Sequence, residues 1–274
     1  EIPLALINAR ITKKTFNRWM LIPNTAKSIF EKFKLCLASN NETQNYLEKL
    51  NVKNINFFEN IKLINTTDKS LSNEQHDPIL KKSKVWCAIS THKGEEEFCL
   101  EVHKILNEEF KNIITIIAPR HIQRVDEIKS LCNNFSLTNQ ILNKDEKILE
   151  NKEIIIINSF GVLSKYIEYS KSVFIGKSLL KKLERVGGQS PIEAASLGCK
   201  VYHGPFIYNF KEIYETLEKN NISNKIQKNY ELAKYIIEDF KSQDKDVERT
   251  KLFMQNLSKK TFFNTMKKIN EFIK

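Results

Sequence analysis

The chain has 274 residues, 41% of them hydrophobic, and its 44 Lys+Arg outweigh 33 Asp+Glu to give a formal charge of +11. That balance belongs to a globular protein long enough to bury a core in one large or two unequal domains, and it excludes a disordered or low-complexity chain. The apolar runs, such as residues 113–118 and 154–157, fall far short of the roughly 20 residues that span a membrane as a helix, while the positive charge either favours anionic partners (nucleotides, nucleic acid, acidic or phosphorylated lipid) or reflects a Lys- and Asn-rich coding bias.

The chain opens Glu1-Ile2-Pro3-Leu4, without Met, and runs straight into an apolar strand pattern over residues 4–7. It is therefore expected to be a fragment or to lack an upstream domain. Residues 25–33 read as a helix with Ile29, Phe30 and Phe33 on one face, followed by a strand over 35–39. Asn41 is expected to cap a helix running through Leu50, with Gln44 in capping-box spacing. The polar stretch that follows reads as a linker over 67–84. Beyond it, short apolar runs at 85–90, 113–118, 154–157, 172–175 and 200–203 each precede a helical pattern. Continuous apolar strands alternating with helices predict a doubly wound α/β domain with a parallel sheet covered on both faces. From Asn229 onward the pattern is helical. The expected organisation is the end of one α/β domain over 1–66, the linker, a second domain over 85–240 and a helical tail over 241–274. The five cysteines, Cys36, Cys87, Cys99, Cys132 and Cys199, lie mostly in apolar contexts. Buried free thiols in a reducing, cytoplasmic setting are expected from them.

In such a sheet, ligands bind at the carboxyl ends of the strands. The first strand of the second domain leads into Ser90-Thr91-His92-Lys93-Gly94-Glu95-Glu96-Glu97. This is a helix start capped by Thr91 or Ser90, with acids complementing the dipole, or a place where His92 faces a ligand. The second strand leads into Pro119-Arg120-His121-Ile122-Gln123-Arg124, where Arg120 is suited to clamping a phosphate in bidentate fashion. The third leads into Asn158-Ser159-Phe160-Gly161-Val162, either a plain glycine loop or one whose N–H groups approach a ligand. The densest pattern is Gly176-Lys177-Ser178 followed by Gly187-Gly188-Gln189-Ser190-Pro191-Ile192-Glu193. Ser190 and Glu193 have capping-box spacing, and a glycine-rich loop opening a helix suits an anion, with Glu193 then free to accept from ribose hydroxyls.

Other chemistry lacks its pattern. There is no P-loop, no G-x-G-x-x-G, no G-x-S-x-G elbow and no metal-ligand spacing among the histidines. Asp244-Lys245-Asp246 reads as a solvated turn. Aromatic and basic residues do not interleave as a nucleic-acid stacking platform requires.

The motifs Ser90-Thr91-His92…Gly94-Glu95-Glu96, Pro119-Arg120-His121…Arg124 and Gly187-Gly188-Gln189-Ser190-Pro191-Ile192-Glu193, in this order, resemble bacterial 3-deoxy-D-manno-octulosonic acid (Kdo) transferases. Asn8-Ala9-Arg10-Ile11-Thr12 and Asn60-Ile61-Lys62 look like two further motifs of that family, so the resemblance spans residues 2 to about 220. It implies a GT-B glycosyltransferase fold, with a complete C-terminal Rossmann-like domain and the end of the N-terminal one. It implies transfer of Kdo from CMP-Kdo to lipid A precursor (lipid IVA) by an inverting, metal-independent reaction needing no cofactor, at the cytoplasmic face of the cell inner membrane. By similarity, Pro119, Arg120, His121, Phe160, Gly161, Val162, Gly188, Ser190 and Glu193 would bind CMP. Lys62 would stabilise the transition state, with Arg10, Ser90, His92 and Arg124 as further candidates. The family's general base, a Glu before the Asn8-Ala9-Arg10 motif, has no counterpart here, so this chain is expected to bind donor without turning it over. The sequence also departs from the family where Asn158 and Val162 replace acids, Ser190 replaces Asn and Glu59 replaces Gly, and residues 180–186 add Lys, Glu and Arg. Three rival readings follow: a GT-B enzyme for another nucleotide sugar, a non-catalytic basic binder of anionic ligands, and a homologue that keeps the fold without activity.

Overall fold

The computed structural model describes residues 2–66, 77–242 and 245–274. The chain divides into two compact units, Glu1–Lys69 with Met254–Lys274, and Ser70–Phe253. The first unit contains β1 (Leu4–Ala9), α1 (Lys13–Trp19), α2 (Pro23–Phe30), β2 (Phe33–Ala38), α3 (Asn41–Lys49) and β3 (Ile55–Phe57), with the strands parallel in the order β1-β2-β3. Its core gathers Ala26, Phe30, Cys36, Leu47 and Leu50. Two local expectations need correction. The helix expected over 25–33 runs instead from Pro23, whose fixed φ and missing N–H suit a first helical position, and Phe33 already opens β2. Asn40, not Asn41, caps α3: its side-chain oxygen accepts from the Thr43 N–H at 2.8 Å. Thr43 is itself buried and its Oγ1 accepts from the Ile11 N–H at 3.0 Å, which fastens the segment after β1 to α3.

The second unit contains α4 (Pro78–Lys82), β4 (Lys84–Thr91), α5 (Glu95–Glu109), β5 (Ile113–Pro119), α6 (Val125–Asn134), β6 (Asn139–Leu142), β7 (Ile154–Ile157), α7 (Leu163–Ile167), β8 (Ser170–Ile175), α8 (Ile192–Ser196), β9 (Lys200–His203), α9 (Lys211–Lys219), β10 (Ser223–Lys225) and α10 (Asn229–Lys241). A last helix, α11 (Lys245–Ile273), begins in this unit and ends in the first. The seven strands are all parallel, in the order β10-β9-β8-β4-β5-β7-β6. The strands β5 and β7 are buried along their whole length because both faces are covered. Ile154–Ile157, for example, are all buried, as a continuous apolar run in a parallel sheet requires. Trp86, Leu100, Leu106, Phe174 and Tyr202 fill one core layer, with Leu232 and Ile236 of α10 packed upon it. From β4 the chain winds to β5 on one side and later returns to place β8 on the other. The strand order therefore reverses between β8 and β4, the position at which doubly wound sheets open a crevice.

Of the linker expected over 67–84, residues 67–76 lie outside the described residues, and the remainder forms α4, capped by the Asp77 carboxylate on the N–H groups of Ile79 and Leu80, and the start of β4. Asp244 of the Asp244-Lys245-Asp246 turn also lies outside them. All five cysteines are buried and unpaired. Among the described residues no helix is long and apolar enough to cross a membrane.

Candidate functional site

The crevice between β4 and β8 is held together by one carboxylate. Glu95, the first residue of α5, is fully buried. Its Oε2 accepts from the backbone N–H of His92 at 2.9 Å and of Lys177 at 2.6 Å, and its Oε1 from Ser178 at 2.8 Å and Leu179 at 2.9 Å. The expected cap from Ser90 or Thr91 is therefore absent. Gly94, in left-handed conformation at φ 100°, occupies the cap position, and Glu95 does the binding. Alongside, the Gly176 N–H donates to the Ile89 carbonyl at 2.8 Å, and a Cβ at Gly176 would lie 2.6 Å from the Ser90 carbonyl oxygen. Only glycine permits that approach.

The Pro119-Arg120-His121 corner closes on the same loop. Pro119 pairs with Thr91, and the Arg120 N–H donates to the Thr91 carbonyl at 3.0 Å, leaving the side chains of Arg120 and His121 exposed. The imidazoles of His92 and His121 meet edge to face, with centroids 5.7 Å apart. His92 Nδ1 lies 3.1 Å from the Ser90 carbonyl, an acceptor only, so Nδ1 carries the proton. Partial burial lowers the His92 pKa, opposed by the Ser90 carbonyl and Glu95 and reinforced by Lys177 and His121. The imidazole is neutral at neutral pH, with Nε2 as its acceptor. Arg124 departs from expectation. Its guanidinium forms a bidentate pair with the buried Glu96 at 2.7 and 3.1 Å and reaches Glu127 at 3.2 Å, so its fork is spent on carboxylates and it braces α6 against α5.

Two more loops complete the rim. After β7, Asn158 is tied to Asn143 at 2.7 Å. Phe160 is 70% exposed, and no atom stands within 4 Å of a Cβ built on Gly161, at φ 79°. The side of this loop is thus open, and Val162 leads into α7. The 187–193 loop is anchored by the Gly188 N–H to the Lys177 carbonyl at 2.7 Å and by the Tyr214 hydroxyl to the Gln189 carbonyl at 3.0 Å. The expected capping box does not form. Pro191, one residue later than Ser190, takes the cap position, leaving Glu193 at the second helical residue with no N–H to accept at the cap. The exposed Glu193 accepts instead from the Ser164 hydroxyl at 2.6 Å, joining the 187–193 loop to α7. Ser190 Oγ keeps only a long contact, 3.4 Å, with the Ile192 N–H.

The structure thus joins Ser90, His92, Pro119, Arg120 and His121 by direct contacts around the crevice. Gly188, Ser190 and Glu193 are linked to them through Lys177, and the Phe160-Gly161-Val162 loop through Ser164. Arg10 and Lys62 belong to the first unit. There Arg10 follows β1, and the Lys62 N–H donates to the Asn60 side chain at 3.0 Å, opening a short 3-10 turn with an exposed Lys62 side chain. Glu59 stands at φ 71° where the resembling family has Gly, a left-handed position that a glycine adopts without strain. Glu95, Lys177 and Ser164 were missed as site residues. An acid in a first helical turn reads as dipole complementation, and three of its four partners here lie 82 to 84 residues away.

A family model described as 3-Deoxy-D-manno-octulosonic-acid transferase (kdotransferase) matches residues 1–65. A 3-deoxy-D-manno-octulosonic acid transferase of Haemophilus influenzae is 29% identical over 227 residues, covering 79% of this chain and 51% of the relative. One of Rickettsia prowazekii is 27% identical over 235 residues, covering 84% and 49%. The chain therefore spans about half the length of these relatives. Among solved structures, the C-terminal CMP-Kdo binding domain of WaaA from Acinetobacter baumannii superposes with a TM-score of 0.57 at 22% identity, over 65% of this chain and 90% of that one. A glycosyltransferase from Rickettsia africae gives 0.58 at 15% identity, over 97% and 69%. At these identities the two structures speak for the fold. Sequence similarity and fold agree: residues 1–65 match the Kdo transferase family model, the relatives that the chain resembles are Kdo transferases, and the fold is that of GT-B glycosyltransferases.

Proposed function

We propose that the crevice between β8 and β4 holds the CMP moiety of CMP-Kdo, and that the protein transfers Kdo to a lipid A precursor at the cytoplasmic face of the inner membrane. The observation that carries this reading is the convergence of Arg120, His121 and His92 on one rim, with the glycine-rich 187–193 loop fastened to it through Lys177. Arg120 offers a planar fork to the phosphate. Neutral His92 adds a hydrogen-bonding imidazole without a charge, and Glu193 offers a carboxylate to ribose hydroxyls once Ser164 yields it. Lys62, in the first unit, is proposed as the group that stabilises the transition state, on the strength of its motif resemblance. The name of the Acinetobacter domain, which binds CMP-Kdo, supports this donor.

Titration of CMP into this chain by calorimetry tests the reading, with UMP as control. CMP is expected to bind, and Arg120→Ala and Glu193→Ala to weaken it about tenfold or more each, the loss of one charge-assisted contact. An equal response to CMP and UMP would favour a GT-B enzyme for a different nucleotide sugar.

A further inference from the structure

Nine non-glycine residues stand at positive φ among the described residues. Five are Asn or Asp and two are Ser, side chains short and polar enough to hydrogen-bond locally in that conformation. The other two are Glu59, in the first unit, and Lys177, which at φ 58° stands in the crevice between β8 and β4. The Lys177 backbone is fixed from both ends. Its N–H donates at 2.6 Å to the same Glu95 oxygen that accepts from His92, and its carbonyl accepts from the Gly188 N–H at 2.7 Å. Backbone strain of this kind persists where the surrounding structure enforces it, and it gathers at ligand sites. The Lys177 side chain is half-buried, and among the described residues no carboxylate pairs with its ammonium. Burial is the chief cause of the lowered His92 pKa, and the Lys177 charge adds to it, so the ammonium lies within electrostatic reach of the imidazole.

We infer that the Lys177 ammonium is a specificity-determining contact that binds the sugar carboxylate of the donor, so that the crevice selects a nucleotide whose sugar is an acid. This rests on the donor site proposed above. β5 and β8 flank β4 on opposite sides, so Arg120 and Lys177 stand on opposite banks of the crevice, two strand spacings or about 10 Å apart at the backbone. His92, which follows β4 between them, is neutral and adds no third charge. The planar guanidinium suits the phosphate, while the ammonium is a compact charge that a single carboxylate oxygen satisfies. A nucleotide whose phosphate is its only anion engages Arg120 and leaves Lys177, half removed from water, without a counter-charge. CMP-Kdo carries its carboxylate on the carbon that bears the phosphate, so both cations find a partner.

Calorimetric titration of this chain with two esters of CMP tests the inference: CMP-Kdo, and the methyl ester, which keeps the phosphodiester and lacks the carboxylate. The unaltered chain should bind CMP-Kdo about tenfold or more tighter than the methyl ester, the worth of one charge-assisted contact. Lys177→Met, which keeps the length of the side chain and both backbone bonds, should cut that preference about tenfold. Lys177→Gly should cut it equally, and its thermal midpoint should not fall, because glycine adopts φ 58° without strain. Lys181→Met, an equal loss of charge at an exposed position nearby in the chain, should keep the preference. A preference that survives in both Lys177 variants would overturn the inference. So would equal losses for the two esters in Lys177→Met, which would make the ammonium a phosphate contact, or an equal fall in preference in Lys181→Met. A lowered midpoint in both Lys177 variants, with the two esters weakened alike, would make the residue a structural brace and overturn it too. A chain that binds both esters with no preference overturns this inference alone and leaves the donor site standing. Failure to bind either ester overturns the donor site, and the inference with it.

Discussion

At the scale of single residues, the two buried acids at the start of α5 have different duties. Glu95 satisfies four backbone N–H groups with no cation at hand, and Glu96 is paired to Arg124. Hydrogen bonds to a charged acceptor contribute about 1.5–3 kcal/mol each, and a buried donor left without a partner costs about 1–3 kcal/mol. Glu95→Ala strands four donors where the β4 and β8 loops meet and should destabilise the chain by at least about 3 kcal/mol in urea unfolding. Glu95→Gln should fail as well, since its NH2 faces N–H groups where Oε1 or Oε2 accepted. The internal control is Glu97→Ala, in the same helical turn but exposed, which should stay within about 0.5 kcal/mol. If Glu95→Ala and Glu97→Ala fell together, Glu95 would be no more than a charge at a helix start, as the sequence alone suggests.

At the scale of elements, α10 is clamped to the sheet through one carboxylate in an apolar layer. The Asp239 carboxylate accepts from Ser172 of β8 and Tyr202 of β9, both at 2.6 Å, and all three residues are buried. Burial pushes the Asp239 carboxyl up, and the two hydroxyls hold it down. Asp239→Ala therefore leaves two hydroxyls unsatisfied in the core and should cost about 2–4 kcal/mol, whereas Asp239→Asn, which keeps an acceptor oxygen, should cost less. Equal losses in the two variants, measured by urea unfolding, would show that packing rather than the hydrogen bonds holds the helix. The acid is invisible as a clamp in the sequence, because its partners lie 67 and 37 residues away. The same division runs through the whole fold. The strands β7 and β9 were legible residue for residue, since a buried parallel strand is a continuous apolar run. The strands β6 (Asn-Gln-Ile-Leu) and β10 (Ser-Asn-Lys) were not, because each lies at the edge of the sheet and needs no apolar sequence there. The positions of the site loops were readable for the same reason as the strands, being fixed by where each apolar run stops. Whether Glu193 turns to Ser190 or to Ser164 was not, because α7 and the 187–193 loop meet only through tertiary structure.

At the scale of the whole molecule, the two units differ in what acid does to them. Every histidine in the sequence falls between residues 70 and 253, within the second unit. Three of them have lowered pKa values. For His92 the chief cause is burial. For His103 it is burial, opposed by Glu153. For His203 it is burial, opposed by the Gly204 carbonyl and Glu218. Both His103 and His203 are fully buried, and each has a fixed polar partner: Thr115 Oγ1 lies 2.8 Å from His103 Nδ1, and the Gly204 carbonyl 2.8 Å from His203 Nδ1. A histidine whose native pKa is depressed binds its proton more readily in the unfolded chain. Stability conferred by the neutral ring is therefore complete above the unfolded value, 6.5, and drains away as pH falls from there toward the native values. Each such ring can contribute a slope of up to about 1.4 kcal/mol per pH unit, and the acids beside His103 and His203 reduce it. Between pH 7 and 5.5 the amides of β4, β5 and β9 should thus lose hydrogen-exchange protection, after correction for the intrinsic rate, while those of β1 and β2, with no histidine in their unit, should keep theirs. Parallel loss in both sheets would show that the units unfold as one cooperative body, and no loss in either would mean that burial does not hold these imidazoles below the unfolded value.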